Sequence, residues 1–422
     1  MTPSPAIIPL LALPALVAGL VYFLRPWERT PQIVAFLAAV TAAYLVRSAA
    51  PGLSGDLMGR PLVLDGPARQ LLLIALAAVA LGNLALAIYP IGGFFPSVSL
   101  LSASLVGVVA SIDNLTLASL FLLINGVMLA LAWGTRGRAR GHLQFLVAVT
   151  VGCLALAYAA SLMDAAPDEP SRMGLIAFEI GAGLLLALMP FGFWEGMLGR
   201  DADPLTTSTA NLTFKATVLV LVWRFSAHYP WLAATSAFPQ LLRVAVLITV
   251  AYCSLRTAVA PSARAYAAVA TQAQFTLALL TLIPALGSSS LLPVTGLWLL
   301  ARVPTSLFLA TAALALQQSR RLLPRLLFVF AGLALAGLPG TPVFPAYLAS
   351  LLSLPRSNDL LLPLGLLTAG LVVGALRLLW HGGEQEMPDP PALSGALTAA
   401  VVLALIVLAL GLQPSRLLLY LS

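Results

Sequence analysis

The sequence is poor in charge and almost without lysine. Charged residues make up 9% of its 422 positions, against about 25% in soluble domains. Of its 22 lysine and arginine residues only Lys215 is a lysine. Hydrophobic residues make up 60% of the chain, more than the interior of a globular fold can bury. This composition excludes a soluble protein and indicates an all-α polytopic membrane protein.

Residues that commonly bind metals or cofactors are also scarce. Cys153 and Cys253 lie inside apolar runs, and His142, His228 and His381 are far apart in the sequence. Their spacing matches no metal or redox motif, and no Gly-rich loop follows a strand as a phosphate-binding site requires. We therefore expect no metal, no cofactor and no catalytic residue in this chain.

The net charge of +7 does not indicate a nucleic-acid partner, because the arginines are scattered between apolar runs without stacking aromatic residues. They are typical of cytoplasmic loops, which are enriched in basic residues. The loops after the first and fifth runs, for example, are basic and contain Arg25, Arg29, Arg136, Arg138 and Arg140. The acidic loop after the sixth run contains Asp164, Asp168 and Glu169. This pattern predicts an inner-membrane protein with its N-terminus outside, on the periplasmic side.

About 14 runs are long and apolar enough for spans of about 20 residues. The first, about 7–24, is followed by arginines rather than a cleavage site and indicates a retained helix. We expect one transmembrane domain over 1–422, embedded in the lipid bilayer, with internal halves of roughly 96–258 and 264–412. We expect no soluble domain, since the longest polar insert covers only about 50–68.

Two of the apolar runs contain helix-breaking residues. Pro190 and Pro204 predict a broken helix near 190–204, with a short amphipathic piece between them. Gly337 and Pro339 predict a second break at 337–342, inside a run that is too long for one simple span. Backbone groups freed at such depth must be satisfied by protein or by a water-filled cavity, so broken helices often mark functional sites.

The single lysine lies in the stretch NLTFKATVLVLVWRF (Asn211–Phe225). It is near the middle of its run, too far from either end to extend its ammonium group to the membrane surface. An ionisable group at this depth is costly and indicates function. A buried lysine changes its protonation state readily, whereas arginine stays protonated. Lys215 is therefore a candidate for a proton path, the alternative being a structural ion pair.

Five further residues are candidates for the same path. Glu179 lies inside an apolar run, where the alternative role is a helix cap or an arginine partner. Gln272 and Gln274 lie in a later span and can hold water or bond across helices. Arg302 requires a counter-charge or backbone carbonyls, and Tyr347 follows the second break. We expect Glu179, Gln272 and Gln274 to be the first groups within reach of Lys215.

Four stretches, taken in order, resemble the antiporter-like subunits of respiratory complex I, a superfamily that includes multisubunit cation/proton antiporters and membrane-bound hydrogenases. They are VLDGPARQLLL (Val63–Leu73), LMPFGFWEGMLGRDADPLTTSTA (Leu188–Ala210), ARAYAAVATQAQF (Ala263–Phe275) and LAGLPGTPVFPAYL (Leu335–Leu348). The resemblance covers about 60–410. It implies a helical membrane subunit of a hetero-oligomeric complex, with Lys215 close to the family's lysine in the eighth helix.

The departures from the family pattern concern residues that carry protons. Gly192 replaces a histidine and Leu185 replaces a lysine. The fifth-helix glutamate is missing from LFLL (Leu120–Leu123), and two further lysine positions fall near Pro304 and Tyr347. Glu179 does not align with the lost glutamate. The resemblance therefore implies a degenerate member, in which most of the usual chain of titratable groups is absent.

Several functions remain open from the sequence. The first is a membrane subunit of a complex I-like or ion-coupled complex, which contributes a proton path or scaffolds one. The second is a non-pumping structural paralogue that is needed for assembly. The others are the proton-conducting partner of a carbon dioxide-hydrating complex and a secondary transporter. As part of an enzyme, the chain would be at most a non-catalytic membrane subunit of a proton-translocating oxidoreductase of the quinone-reductase type. We expect other membrane subunits of a hetero-oligomeric complex as its partners.

Overall fold

A computed structural model describes residues 7–50, 52–90, 93–133, 140–234, 237–286, 293–318, 321–353, 361–381 and 390–413. Arg136 and Arg138, used above for the orientation of the chain, lie outside the described residues. The described chain is almost entirely helical, which confirms the predicted fold class.

Seventeen α-helices are described. The first nine are α1 (Ile7–Phe23), α2 (Thr30–Ser48), α3 (Gly66–Ile88), α4 (Phe95–Ser111), α5 (Leu115–Trp133), α6 (Arg140–Asp164), α7 (Arg172–Leu185), α8 (Phe193–Asp201) and α9 (Pro204–His228). The others are α10 (Pro230–Ala234), α11 (Ala237–Ala258), α12 (Ala263–Leu282), α13 (Pro293–Gln318), α14 (Leu322–Leu335), α15 (Val343–Ser353), α16 (Leu361–His381) and α17 (Pro390–Leu412). A short 3₁₀ turn, Ile283–Ala285, follows α12.

The polar insert between α2 and α3 forms a β-hairpin that the sequence analysis did not predict. Strands β1 (Leu53–Leu57) and β2 (Arg60–Leu64) pair antiparallel, so that Leu57 faces Arg60. Met58 and Gly59 both have positive φ, as a two-residue hairpin turn requires. The amide of Asp113 donates to the Pro61 carbonyl at 3.2 Å, so β2 packs against the end of α4.

Ten of the described helices are long and apolar enough to span a membrane, and three shorter apolar helices accompany them. The chain is therefore a multi-pass membrane protein, while the count of about 14 spans stays a prediction. Both predicted breaks are confirmed: α7 and α8 are separated by 186–192, and α14 and α15 by 336–342. Pro190 lies in the first break, and Gly337 and Pro339 lie in the second. Pro204 is the first residue of α9.

Three helices form the centre of the bundle. α9 is buried along its whole length, and α12 and α13 are buried along most of theirs. α9 packs against α3, α4, α5, α12 and α13. By contrast, only one face of α2, α11 and α17 is buried. The outer faces are apolar, with Leu16, Tyr44 and Leu255 more than 60% exposed, as expected for helices that face lipid.

Candidate functional site

The position of Lys215 is set by α9. Asp203 caps this helix by accepting from the amides of Leu205 at 2.9 Å and Thr206 at 3.2 Å, and Pro204 follows at a position where a missing N–H costs nothing. Lys215 lies near the middle of the helix and is 1% exposed. The prediction that its ammonium group is buried, rather than extended to a surface, is correct.

The partner of Lys215 is a residue that the sequence analysis passed over. Lys215 Nζ lies 2.5 Å from Glu195 Oε2, and both side chains are buried. The other carboxylate oxygen of Glu195 accepts a long hydrogen bond from Asn211, at 3.5 Å. Lys215 Nζ also lies 5.2 Å from the centroid of the Trp194 ring, which adds a cation–π contact.

Glu195 could have been recognised from one signal. It directly follows the apolar run 173–194, and it lies in the first turn of α8. The sequence analysis predicted only a short amphipathic piece after Pro190 and assigned Glu195 no role. α8 instead packs against α6, α9 and α12, so its side chains point into the bundle.

Gln272 joins the ion pair to the first broken helix. Its side-chain oxygen accepts a hydrogen bond from Lys215 Nζ. Its Nε2 donates to the carbonyls of Leu186 at 3.1 Å and Ala187 at 3.0 Å. The Trp194 indole donates to a third freed carbonyl, that of Leu184, at 2.9 Å. The polar backbone that the break exposes is thus satisfied by protein groups.

The two breaks share one backbone geometry. Leu188 N donates to Gly183 O and Leu338 N donates to Leu333 O, each at 3.0 Å, which is the long bond of a Schellman motif. The residue in the left-handed conformation is Ala187 in the first break, at φ 53°, and Gly337 in the second, at φ 88°. The two half-helices α7 and α14 therefore end in the same way.

Gln274 lies at the second break rather than beside Lys215. Its Nε2 donates to the carbonyl of Leu335, the last residue of α14. Thr341 supports the same turn by donating to the Leu338 carbonyl at 2.7 Å. The expectation that Gln274 contacts Lys215 is therefore wrong. Two residues apart on α12, Gln272 points to one break and Gln274 to the other.

Arg302 on α13 is buried and uses the backbone partner that the sequence required. Its Nη2 donates to the Thr271 carbonyl at 2.9 Å, while Nε and Nη1 make no hydrogen bond among the described residues. The guanidinium carbon lies 4.9 Å from the centroid of the Phe275 ring, and Lys215 Nζ lies 5.7 Å from the same centroid. Two cations thus share one aromatic ring.

Tyr347 and Glu179 lie away from the ion pair. The Tyr347 ring on α15 packs against Trp298 with centroids 4.9 Å apart. Its hydroxyl approaches Gln274 and Thr368 without a hydrogen bond of good geometry. Glu179 lies on α7, half-buried, beside a cavity, and makes no contact with Lys215 among the described residues. The expectation that Glu179 is within reach of Lys215 is therefore wrong.

Known proteins resemble this chain in structure rather than in sequence. No protein-family model and no curated protein matches it. A chain of respiratory complex I from Thermus thermophilus is 20% identical, with a TM-score of 0.76 over 98% of both chains. A chain of the Mrp complex from Dietzia sp. DQ12-45-1b is 16% identical, with a TM-score of 0.76 over 100% of this chain and 96% of that one.

A third structure extends the comparison to archaea. A chain of the membrane-bound sulfane sulfur reductase, an archaeal respiratory membrane complex, is 17% identical, with a TM-score of 0.75 over 99% of this chain and 96% of that one. The chain is thus a multi-pass membrane protein with the fold of membrane chains from these complexes. The resemblance that the four sequence stretches indicated is confirmed at the level of the fold.

Proposed function

We propose that this chain is a membrane subunit of an ion-translocating complex, and that Lys215, Glu195 and Gln272 form its proton-handling centre. The observation that carries the proposal is the buried ion pair between Lys215 and Glu195, with 2.5 Å between Nζ and Oε2. The similarity in fold to chains of respiratory complex I and of the Mrp complex supports membership of such a complex.

The pair can transfer a proton without a large movement. An N–H bond of the Lys215 ammonium breaks as an O–H bond forms on Glu195, so that a cation and an anion become a neutral amine and a neutral acid. Asn211 and Gln272 hold the heavy atoms of the two groups. Arg302 cannot take part in the same way, because a guanidinium stays protonated. It supplies a fixed positive charge next to the pair.

A line of polar groups leads to Lys215 along α9. Thr207, Asn211 and Lys215 are four residues apart and share one face of the helix. Thr207 Oγ1 and Asn211 Oδ1 are buried and make no hydrogen bond with the described residues. Such atoms are satisfied by buried water. The line is about 12 Å long and starts at the end of α9 that we predict to be cytoplasmic.

Replacing Lys215 with Met in the assembled complex tests the proposal. Methionine has similar bulk but no titratable group, so proton translocation in proteoliposomes should be lost while native mass spectrometry still shows all subunits. Thr217→Val, two residues along α9 and therefore on the opposite face of the helix from Lys215, is the control for packing. Normal translocation by an assembled Lys215→Met complex would remove the relay role.

A second candidate, a scaffold that conducts no protons, is favoured by the groups beyond the pair. The other buried polar candidates are Arg302, which contacts Phe275, and Gln274 and Tyr347, which lie at the second break. None of these three side chains is a lysine or a carboxylate that could pass a proton onward. In that case the ion pair fixes helix packing. Every polar-to-apolar change within the spans should then leave translocation unchanged unless it prevents assembly.

The chain's internal organisation fits the same proposal. We propose that 96–258 and 264–412 are two halves of one transmembrane domain, each with one broken helix of the same geometry. Among the described residues, only the first half contains a titratable pair next to its break. The carbon dioxide-hydrating and transporter alternatives are distinguished by the subunits that co-purify with the chain.

A further inference from the structure

A cavity of about 310 Å³ lies on the outside of the bundle, between α7, the first break and α11. We call it the α7–α11 crevice. Its walls include Glu179, Leu188, Pro190, Leu241 and Ala245. Glu179 is the acidic residue among the lining residues, and the rest are apolar apart from backbone groups.

The crevice opens toward the membrane. Leu241, Val244 and Ile248, all on the α11 side of the crevice, are between 52% and 55% exposed. Each lies inside a span, so their exposed faces meet lipid or another protein. Water is a poor occupant here, because a buried water needs two to four polar partners and the lining supplies almost none.

Glu179 has no partner among the described residues. It makes no hydrogen bond and no ion pair among the residues that the structure describes. A carboxylate within a span is costly unless it pairs with a cation or with hydrogen-bond donors. Glu179 therefore needs a partner that the described residues do not supply, and the crevice is the space in which that partner would lie.

We propose that the α7–α11 crevice receives the basic side chain, lysine or arginine, of a transmembrane helix from a neighbouring subunit. An aliphatic stem with a charged end fits an apolar crevice that contains a single carboxylate. The partner's apolar helix face would cover Leu241, Val244 and Ile248. This inference rests on the proposed function, because it requires that the chain is one subunit of a complex.

The peptide segment of the first break lies between the crevice and the residues that hold the ion pair. Leu188 and Met189 of the first break line it, while the carbonyls of Leu186 and Ala187, in the same break, accept from Gln272. A cation in the crevice would therefore contact one side of the peptide segment whose other side holds Lys215 through Gln272. The neighbouring subunit and the ion pair would thus contact opposite sides of the same peptide segment.

The test uses the full chain in phosphatidylcholine liposomes, with a fluorescent label, and three transmembrane probe peptides. The peptides are identical Leu/Ala helices that carry one lysine, one glutamine or one methionine at the depth of Glu179. Energy transfer measures their association. We expect the lysine peptide to bind the wild-type chain roughly tenfold more tightly than the glutamine peptide. Glu179→Gln should remove that preference.

Three further variants make the result specific. Glu169→Gln changes a carboxylate of the exposed loop and should keep the preference. Ala245→Phe fills the crevice without changing charge and should weaken binding of the lysine peptide. Lys215→Met should leave binding unchanged even though it stops proton translocation, so that failure of this inference and failure of the proposed function are distinguishable.

Two results would overturn the inference. One is equal binding of the lysine and glutamine peptides to the wild-type chain. The other is a preference for lysine that survives in Glu179→Gln. If the peptides bind equally but native mass spectrometry shows phosphatidylethanolamine retained by the wild-type chain and lost from Glu179→Gln, the occupant is a lipid headgroup and the inference fails.

Discussion

At the scale of single residues, the centre of the bundle carries an excess of positive charge. Among the residues that the structure describes, three formally charged side chains are buried, namely Lys215, Glu195 and Arg302. One carboxylate therefore faces two cations. Desolvation of such groups costs several kcal/mol per ion, and the surrounding contacts offset it only in part. Gln272 and the Trp194 ring also stabilise Lys215, the Thr271 carbonyl stabilises Arg302, and the Phe275 ring is shared by both cations.

The first residue-scale prediction concerns the strength of the ion pair. Glu195→Gln leaves the Lys215 ammonium buried without a carboxylate, and we expect a loss of about 3–5 kcal/mol, the usual cost of breaking a buried pair from one side. The double variant Glu195→Gln with Lys215→Met should recover much of this loss, because no unpaired charge remains. Thermal unfolding in detergent measures the stability of the two single variants, Glu195→Gln and Lys215→Met, and of the double variant.

The interaction energy from this double-mutant cycle decides the outcome. Glu169→Gln, in the exposed loop after α6, is the matched control and should unfold like the wild type. Losses in the two single variants that simply add up in the double variant would show that the pair contributes no coupling.

The sequence predicts the depth of Lys215 but not its neighbours. Its place in the middle of an apolar run is enough to bury it. Whether Glu179 or Glu195 is its partner depends on the position of α8 after the break. That position is set by packing of α8 against α6 and α12, which are distant in the sequence. For the same reason Gln272 and Gln274 are indistinguishable in the sequence, although they point to different breaks.

At the scale of secondary-structure elements, α12 supports both broken helices. Gln272 donates hydrogen bonds to two carbonyls of the first break, and Gln274 donates one to a carbonyl of the second. Between them on the helix, Ala273 is buried. Because one rigid helix contacts both breaks, a shift of α12 along its axis would change the two half-helix ends together.

We expect each glutamine to protect its own break. Gln272→Leu should increase amide hydrogen exchange in 186–192, and Gln274→Leu should increase it in 336–342, because each change leaves carbonyls of one half-helix without a donor. Hydrogen exchange followed by mass spectrometry on the reconstituted chain measures both segments in each variant. Each variant serves as the control for the other, and an increase in the wrong segment would contradict the assignment.

The left-handed residues of the two breaks give a second prediction at this scale. Gly337→Ala should destabilise the chain by more than about 1 kcal/mol, the least that a left-handed conformation costs a residue with a Cβ. The added Cβ would also lie 2.8 Å from the Tyr347 ring. Ala187→Gly should be neutral or stabilising, since Ala187 already has φ 53°. Thermal unfolding compares the two, and equal effects of the same sign would count against this reading.

The positions of the breaks follow from proline and glycine, which the sequence displays directly. The hydrogen-bond donors to the carbonyls that the breaks leave free do not follow from the sequence. The donors to the freed carbonyls are Trp194, ten residues away from Leu184, and Gln272, on another helix. The hairpin Leu53–Leu64 was missed for a different reason, since a short polar insert next to long apolar runs has no pattern strong enough to stand out.

At the scale of the whole molecule, two of the least apolar spans, α9 and α12, lie in the centre of the bundle, and apolar side chains cover its outside. α9 and α12 are rich in Thr, Gln and Asn and are almost fully buried, while α17 and α11 expose leucine and valine. This is the arrangement expected when lipid is the solvent. It also explains why the fold class could be predicted from composition, while the contacts between helices could not.

The orientation in the membrane is tested with cysteine labelling. Cys153 and Cys253 are 0% and 2% exposed, so the native chain should not react with a membrane-impermeant maleimide. On intact cells we expect Glu169→Cys to be labelled and Glu28→Cys to be protected, because the acidic loop is predicted outside and the basic loop inside. Permeabilised cells provide the control in which both react. The reverse pattern would invert the predicted orientation.

The complete burial of α9 has a consequence for biogenesis. Of the ten candidate spans among the described residues, it is the least apolar, and it carries the only lysine of the chain. Alone in a bilayer, Lys215 would add a penalty of about 2.5–3.5 kcal/mol to insertion. α9 therefore depends on helices synthesised both before and after it. Glu195 precedes α9 in the chain, whereas Gln272 and Phe275 follow it, so the carboxylate partner of Lys215 is synthesised before the rest of its site.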